Sequence, residues 1–177
     1  MLRGGLLTAT EIAAKYDLWR VLSVLLETGA NPNSTCIMSG FSLIHNAAYN
    51  NSPGVISLLL DRGANIDAYT RNGMNACIYA IKFNFIECLR AIVEGVVRNG
   101  GHFDVNAIIT RGDYRKMTLL DVAVKNSFGV LEEVILYLRS LGALRSVTVR
   151  MRRKRRKLRL FVKASVWCLN CFLHCFN

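Results

Sequence analysis

Proline occurs only twice in the 177 residues, acidic residues stop at Glu133, and no long apolar run opens the chain. Each scarcity excludes a class. Two prolines and 13 glycines rule out collagen-like and polyproline sequences. Charged residues at 20% against hydrophobic residues at 52% leave enough apolar side chains for a core, unlike an acidic or Pro/Ser-rich disordered chain. The opening MLRGGLLTATEIAAKYD has no apolar stretch of signal-peptide length. An intracellular, reducing setting is therefore expected, cytoplasmic by default, and the six cysteines are not expected to form a disulfide framework. A P-loop, a GxGxxG turn and an HExxH pair are all missing. With no motif that carries a mechanism, neither catalysis nor a cofactor nor a small-molecule substrate is expected.

The net charge of +11 belongs to one end. Residues 1–144 hold 13 Lys and Arg against 12 Asp and Glu, whereas residues 145–177 hold ten Lys and Arg and no acid. A nearly neutral body therefore leads into a basic tail, and only the tail calls for an anionic partner.

The body repeats itself. Val21–Asn33 (VLSVLLETGANPN) matches Val55–Asp67 (VISLLLDRGANID) in residue type at nearly every position, 34 residues on. Thr8–Ala14 and Ser42–Ala48 precede them at the same offset. A third copy starts at Asn75 and continues through Glu87–Val93, and a fourth runs from Thr118 to Ala143. Thr8, Ser42, Asn75 and Thr118 are all good N-cap residues. Each opens a short helix rich in alanine, which lets neighbours approach closely. A second helix follows with an apolar stripe: Val21, Val24, Leu25; Val55, Leu58, Leu59; Leu89, Ile92, Val93. Gly29 and Gly63 suit the left-handed position that ends it. One copy cannot bury its stripe, but stacked copies can.

A period near 33, a TxxHxAA-like box and an LLxxGAN box together resemble the ankyrin repeat, over about residues 5–144. The box departs from the family pattern in two ways. Ala9, Leu43, Ala76 and Leu119 stand where the family has proline, and only His45 keeps the histidine, with Glu11, Ile78 and Asp121 elsewhere. The third copy's GHFDVN segment arrives about six residues late, which predicts a longer second helix or an enlarged loop. The fourth copy has about three extra residues around Asn126–Leu131.

The resemblance implies an all-α solenoid of four repeats, about 5–34, 35–67, 68–107 and 108–144, followed by the tail. It also implies a scaffold that binds a partner protein through hairpin tips and a concave helix face. Carried over by position, the hairpin tips hold Met38, Ser39 and Phe41; Arg71, Asn72 and Met74; and Tyr114, Arg115 and Met117. The ends of the first helices hold Lys15 and Tyr16, Tyr49 and Asn50, Lys82 and Phe83, and Lys125 and Asn126. The partner-binding set expected from these is Tyr16, Phe41, Tyr49, Asn50, Arg71, Met74, Lys82, Phe83, Tyr114, Arg115 and Lys125. Aromatic residues and arginine are the usual interface anchors. The resemblance gives His45 a structural role, and Cys77 and Cys88 read as small buried hydrophobes on helices. The short lead before Thr8 leaves little for a hairpin, so an open apolar face and self-association are expected at that end.

In the tail, eight of the ten residues Arg150–Arg159 are cationic, with Arg152, Arg153, Lys154, Arg155, Arg156 and Lys157 consecutive. Such a run repels itself and needs anions. An acidic import receptor or an anionic membrane surface fits it, with nucleic acid the weaker alternative and no specific role the bland one. The apolar stretch from Leu160 spans about 27 Å as a helix, and Lys163 lies within it, which makes a membrane span marginal. An interfacial segment with an acylated Cys168, Cys171 or Cys175 suits it better. Cys168, Cys171, His174 and Cys175 crowd too closely for a structural zinc site, so no metal is expected.

Overall fold

The computed structural model describes residues 8–36, 40–126 and 132–145, with Val149. Met38 and Ser39, residues 127–131 of the insertion expected around Asn126–Leu131, and the tail from residue 150, with Arg152, Arg153, Lys154, Arg155, Arg156, Lys157 and the apolar stretch holding Cys168, Cys171, His174 and Cys175, lie outside the described residues. Eight helices occur among those described: α1 Ala9–Lys15, α2 Trp19–Glu27, α3 Leu43–Tyr49, α4 Pro53–Asp61, α5 Ala76–Lys82, α6 Ile86–Arg98, α7 Leu119–Asn126 and α8 Glu132–Ser140. Thr35 and Ser42 form an isolated antiparallel bridge, and the described residues contain no strand.

The first helices begin where their caps dictate. The Thr8 hydroxyl accepts from the Glu11 N–H at 3.2 Å, and the Glu11 carboxylate accepts from the Thr8 N–H at 2.8 Å. Asp121 reciprocates with Thr118 in the same way, at 3.0 and 3.3 Å. At α3 the acceptor is a histidine, with the Ser42 N–H donating to His45 Nδ1 at 3.1 Å. The position that reads Glu, His, Ile, Asp across the four copies therefore asks for an acceptor. Ile78 has none, and there Asn75 caps alone, accepting from the Ile78 N–H at 3.0 Å. A cap of this kind is worth about 0.5–2 kcal/mol.

Helices α1, α3, α5 and α7 lie side by side as one layer, and α2, α4 and α6 form a second. Ala13, Ala14, Ala47, Ala48, Ala80 and Ala123 are wholly buried within the first layer, so the helices sit close. Leu22, Ile56, Leu59, Ile78, Ile81, Leu89 and Ile92 fill the space between layers. Each fully buried side chain of this size contributes about 1.5–3 kcal/mol. The late third loop is explained by α6, which runs 13 residues where α2 and α4 run nine. Gly95 lets the longer helix stay close, since a Cβ there would stand 2.5 Å from Leu60 Cδ1. Helix α8 packs on α7 and touches α6 little. An open groove of about 580 Å³, lined by Ile86, Arg90, Leu136 and Tyr137, separates α6 from α8.

Neighbouring copies are joined by polar rungs. The Asn33 amide donates to the Gly63 carbonyl at 3.2 Å and accepts from the Asn65 N–H at 2.7 Å. Asn106 repeats this with Gly142 and Leu144, at 3.1 and 2.7 Å. Asp17, Asn51 and Asn84, one in each of the first three copies, take positive φ (53°, 57° and 58°) at the turn between the two helices. Asx side chains tolerate that region best after glycine. Asp17 also accepts from the Val55 N–H at 2.9 Å, which ties the first turn to the start of α4.

The burial expected of every stripe fails in the first copy, at the end where an open apolar face is expected. The stripe on α2 is not buried: Val21 is 50% exposed and Val24 59%. At the position of Val21, the later copies place Val55, Cys88 and Val134, each 0% exposed. The later residues are covered by the preceding helix pair, and among the described residues nothing covers α2. Ile12, Leu18 and Trp19 extend this open apolar face.

Candidate functional site

The ends of the first helices and the hairpin tips form one face, because α1, α3, α5 and α7 stack in register. Lys15, Tyr49 and Lys82 are the last residues of α1, α3 and α5, and Lys125 holds the same register in α7. Tyr16, Asn50, Phe83 and Asn126 follow them. Tyr16 is 62% exposed, Tyr49 47% and Phe83 37%. Lys15, Arg71, Lys82, Arg115 and Lys125 are exposed too, while Phe41 and Asn50 are half-buried.

Two expected surface residues are not on this face. Met74 and Tyr114 are buried, at 9% and 6% exposure, which corrects their assignment as anchors. Their hairpin segments fold inward over the helices. Tyr114 donates to the Asn126 amide oxygen at 3.2 Å and carries the Lys125 ammonium 5.2 Å from its ring centroid. It is a pedestal for Lys125 rather than a contact.

The rings form a connected cluster. Phe41 lies 5.2 Å from Tyr79 and 6.0 Å from Tyr49, and Tyr49 meets Phe83 edge-on at 5.0 Å. Tyr79, at 4% exposure, is the buried floor, and burial pushes its phenol pKa up. Such ring pairs add about 0.5–1.5 kcal/mol beyond burial, so Tyr49 and Phe83 are held in place before any partner arrives. The hairpin tips are stacked as tightly. A Cβ on Gly73 would stand 2.4 Å from the Gly112 nitrogen, and one on Gly40 would meet Arg71 at 3.2 Å.

Cys77 and Cys88 are poor nucleophiles. The Cys77 thiol is pushed up to about 12 by burial and by Asp67, and Cys88 to about 12 by burial and by Asp17. A nucleophilic thiol needs the opposite shift. Cys77 and His102 both line a cavity of about 250 Å³, but that thiol stays protonated. His45 is wholly buried and spends both nitrogens on structure. Its Nδ1 accepts from Ser42, so Nε2 carries the proton and donates to the Ala68 carbonyl at 3.0 Å. Burial lowers its pKa. Among the described residues, no group of His, Cys, Asp and Glu is arranged to hold a metal ion.

The family model for ankyrin repeats (3 copies) matches residues 10–106 and again 44–144. The chain belongs to the ankyrin-repeat family. Ankyrin repeats are generally protein–protein interaction modules, and the family is typically non-catalytic. The inactive serine/threonine-protein kinase TEX14 of Bos taurus is 34% identical over 74 residues, which is 42% of this chain and 5% of that protein. The B-cell lymphoma 3 protein homolog of Mus musculus is 32% identical over 94 residues, 53% of this chain and 21% of that protein. The matched stretches are thus a small part of both relatives.

The sequence reading missed the left-handed turn residues Asp17, Asn51 and Asn84 and the rungs at Asn33 and Asn106. A signal was available. An Asp or Asn recurs between the two helices at spacings of 34 and 33, and a polar residue kept at a repeat's own period marks a joint.

Proposed function

We propose that this chain is a recognition scaffold that grips a partner protein on the first-helix face, with Tyr16, Tyr49 and Phe83 as anchors and Asn50, Arg71, Lys82, Arg115 and Lys125 around them. One observation carries the reading. Tyr49 and Phe83 stay exposed while locked edge-to-face on each other, with Tyr49 also edge-to-face and Phe83 stacked on the buried Tyr79. Rings ordered in advance lose little entropy on binding, which is what a hot spot requires.

The test is capture of the partner from cell extract with the full chain, followed by affinity measurement with variants. Tyr49→Ala and Phe83→Ala should each weaken binding by about 1–2 kcal/mol, roughly five- to thirtyfold. Glu94→Ala, on the far side of the second layer, should change it by less than about twofold. Equal affinity across all four proteins, with unchanged circular dichroism, would refute the assignment.

We propose the tail as the chain's address, on the strength of its eight cations in ten residues. Fractionation of the full chain beside one ending at Ala143 checks this. A location that changes on truncation supports an address, and identical distributions refute it.

A further inference from the structure

Charge among the described residues is sorted by layer. The second helices carry Glu27, Asp61, Glu87, Glu94, Glu132 and Glu133. Arginines of the same layer answer several of them: Arg62 to Glu27 at 3.0 Å, Arg98 to Asp61 at 3.3 Å and Arg90 to Glu87 at 3.8 Å. The other face is built differently. The first helices end in Lys15, Lys82 and Lys125, and the hairpin tips carry Arg71, Arg111, Arg115 and Lys116. Asp113 is the exposed acid among these tips. Glu11 is engaged by the Thr8 cap, Asp17 accepts from the Val55 N–H, and Asp121 is buried and paired with Thr118 and Arg145. Asp67 and Asp104 stand where the hairpin segments leave the second layer.

The rings and the cations interleave. Tyr49 occupies the register that Lys15 holds on the helix before it and Lys82 on the helix after it. Lys15 lies 5.2 Å from the Tyr16 ring centroid, and Lys82 lies 5.8 Å from that of Phe83. The ammonium groups are therefore held beside the apolar patch rather than spread through solvent.

We infer that this face takes an acidic protein segment: a run of Asp and Glu around one bulky apolar side chain, which packs on Tyr49 and Phe83 while flanking carboxylates meet Lys15, Lys82 and Lys125. The inference rests on the scaffold reading above and names the chemistry of its partner. Complementary charge selects such a segment and speeds its approach, while a basic one is repelled. Single-stranded nucleic acid fits the face less well. Bases bind by lying on open ring faces, but the rings of Tyr16 and Phe83 carry ammonium groups.

The test uses the full chain and the fluorescein-labelled peptide Glu-Asp-Glu-Phe-Glu-Asp-Glu, read by fluorescence anisotropy. The triple variant Lys15→Gln, Lys82→Gln, Lys125→Gln should weaken binding at least about tenfold. The variant Arg20→Gln, Arg62→Gln, Arg98→Gln loses the same charge from the second layer and should change it by less than about threefold. The basic tail is present in both, so its contribution cancels. Replacing the peptide's Phe by Ala should cost about tenfold for the unmodified chain and little for the lysine variant. Equal losses in the two triple variants would overturn the inference. So would an oligothymidylate whose binding depends on the three lysines while the peptide's does not. Failure of the parent reading looks different: Tyr49→Ala would then leave affinity for the captured partner unchanged. If Tyr49→Ala weakens that partner but the peptide does not compete with it, the scaffold stands and the acidic segment falls.

Discussion

His45 is satisfied only when neutral. The Ser42 N–H points at Nδ1, so a second proton on the ring would have to displace that bond in a fully buried site. Its pKa is held below the ordinary 6.5, chiefly by burial. On acidification the unfolded chain therefore binds the proton first. The stability His45 contributes is complete above about pH 6.5 and is lost as pH falls from there through the lowered folded value. The thermal midpoint should drop between pH 7.5 and 5.5, and His45→Gln should show a lower midpoint at neutral pH with a flatter pH dependence. Parallel pH curves for the two proteins would contradict this. Glycine gives a second test at this scale. Gly63 and Gly73 both have positive φ, at 79° and 70°, but only Gly73 has backbone against its missing Cβ. Gly63→Ala should cost about 1 kcal/mol and Gly73→Ala about 2–3 kcal/mol, read by urea denaturation. The caps at Thr8, Ser42, Asn75 and Thr118 were legible from residue type because capping is local. Asn33, Asn106 and Asp17 were not, because their partners lie 30 or more residues away on the next copy.

Equivalent helices are not equally buried, and this shows what stacking contributes. Val21 and Val55 share a residue type, a register and a predicted stripe, yet one is half exposed and the other is not exposed at all. Val55→Ala should destabilise the chain by about 1–3 kcal/mol, and Val21→Ala by less than about 0.5 kcal/mol. Equal losses would mean that α2 is covered in solution, for which an oligomer detected by sedimentation would be the direct sign. Periodicity reports that a helix has an apolar face, and the repeat pattern reports that faces stack. Neither reports how far each residue of an uncovered face is left exposed. The length of α6 was half legible: the late GHFDVN segment required extra residues, and only packing against Leu60, allowed by Gly95, decided that they are helical.

At the scale of the whole molecule, the composition separates a neutral body from a basic tail and says nothing of how the body's charges are arranged. The 13 cations and 12 acids before residue 145 nearly cancel in the sequence, but folding moves most exposed acids to the second helices and leaves lysines beside the rings of the first. The same folding took Met74 and Tyr114 out of the expected binding set. Hairpin positions inherit their place from the repeat pattern, but whether a side chain turns outward depends on the neighbouring copy. The fold was thus readable from the period, and the binding face only in part. The account's central claim is that the partner sits on Tyr49 and its neighbours. The most direct measurement is photo-crosslinking in cells with benzoylphenylalanine in place of Tyr49, beside the same group in place of Glu94 on the second layer. The account predicts a discrete crosslinked protein from position 49, lost when Phe83 is also replaced by alanine, and none from position 94. The same crosslinked protein from position 94 alone would contradict it.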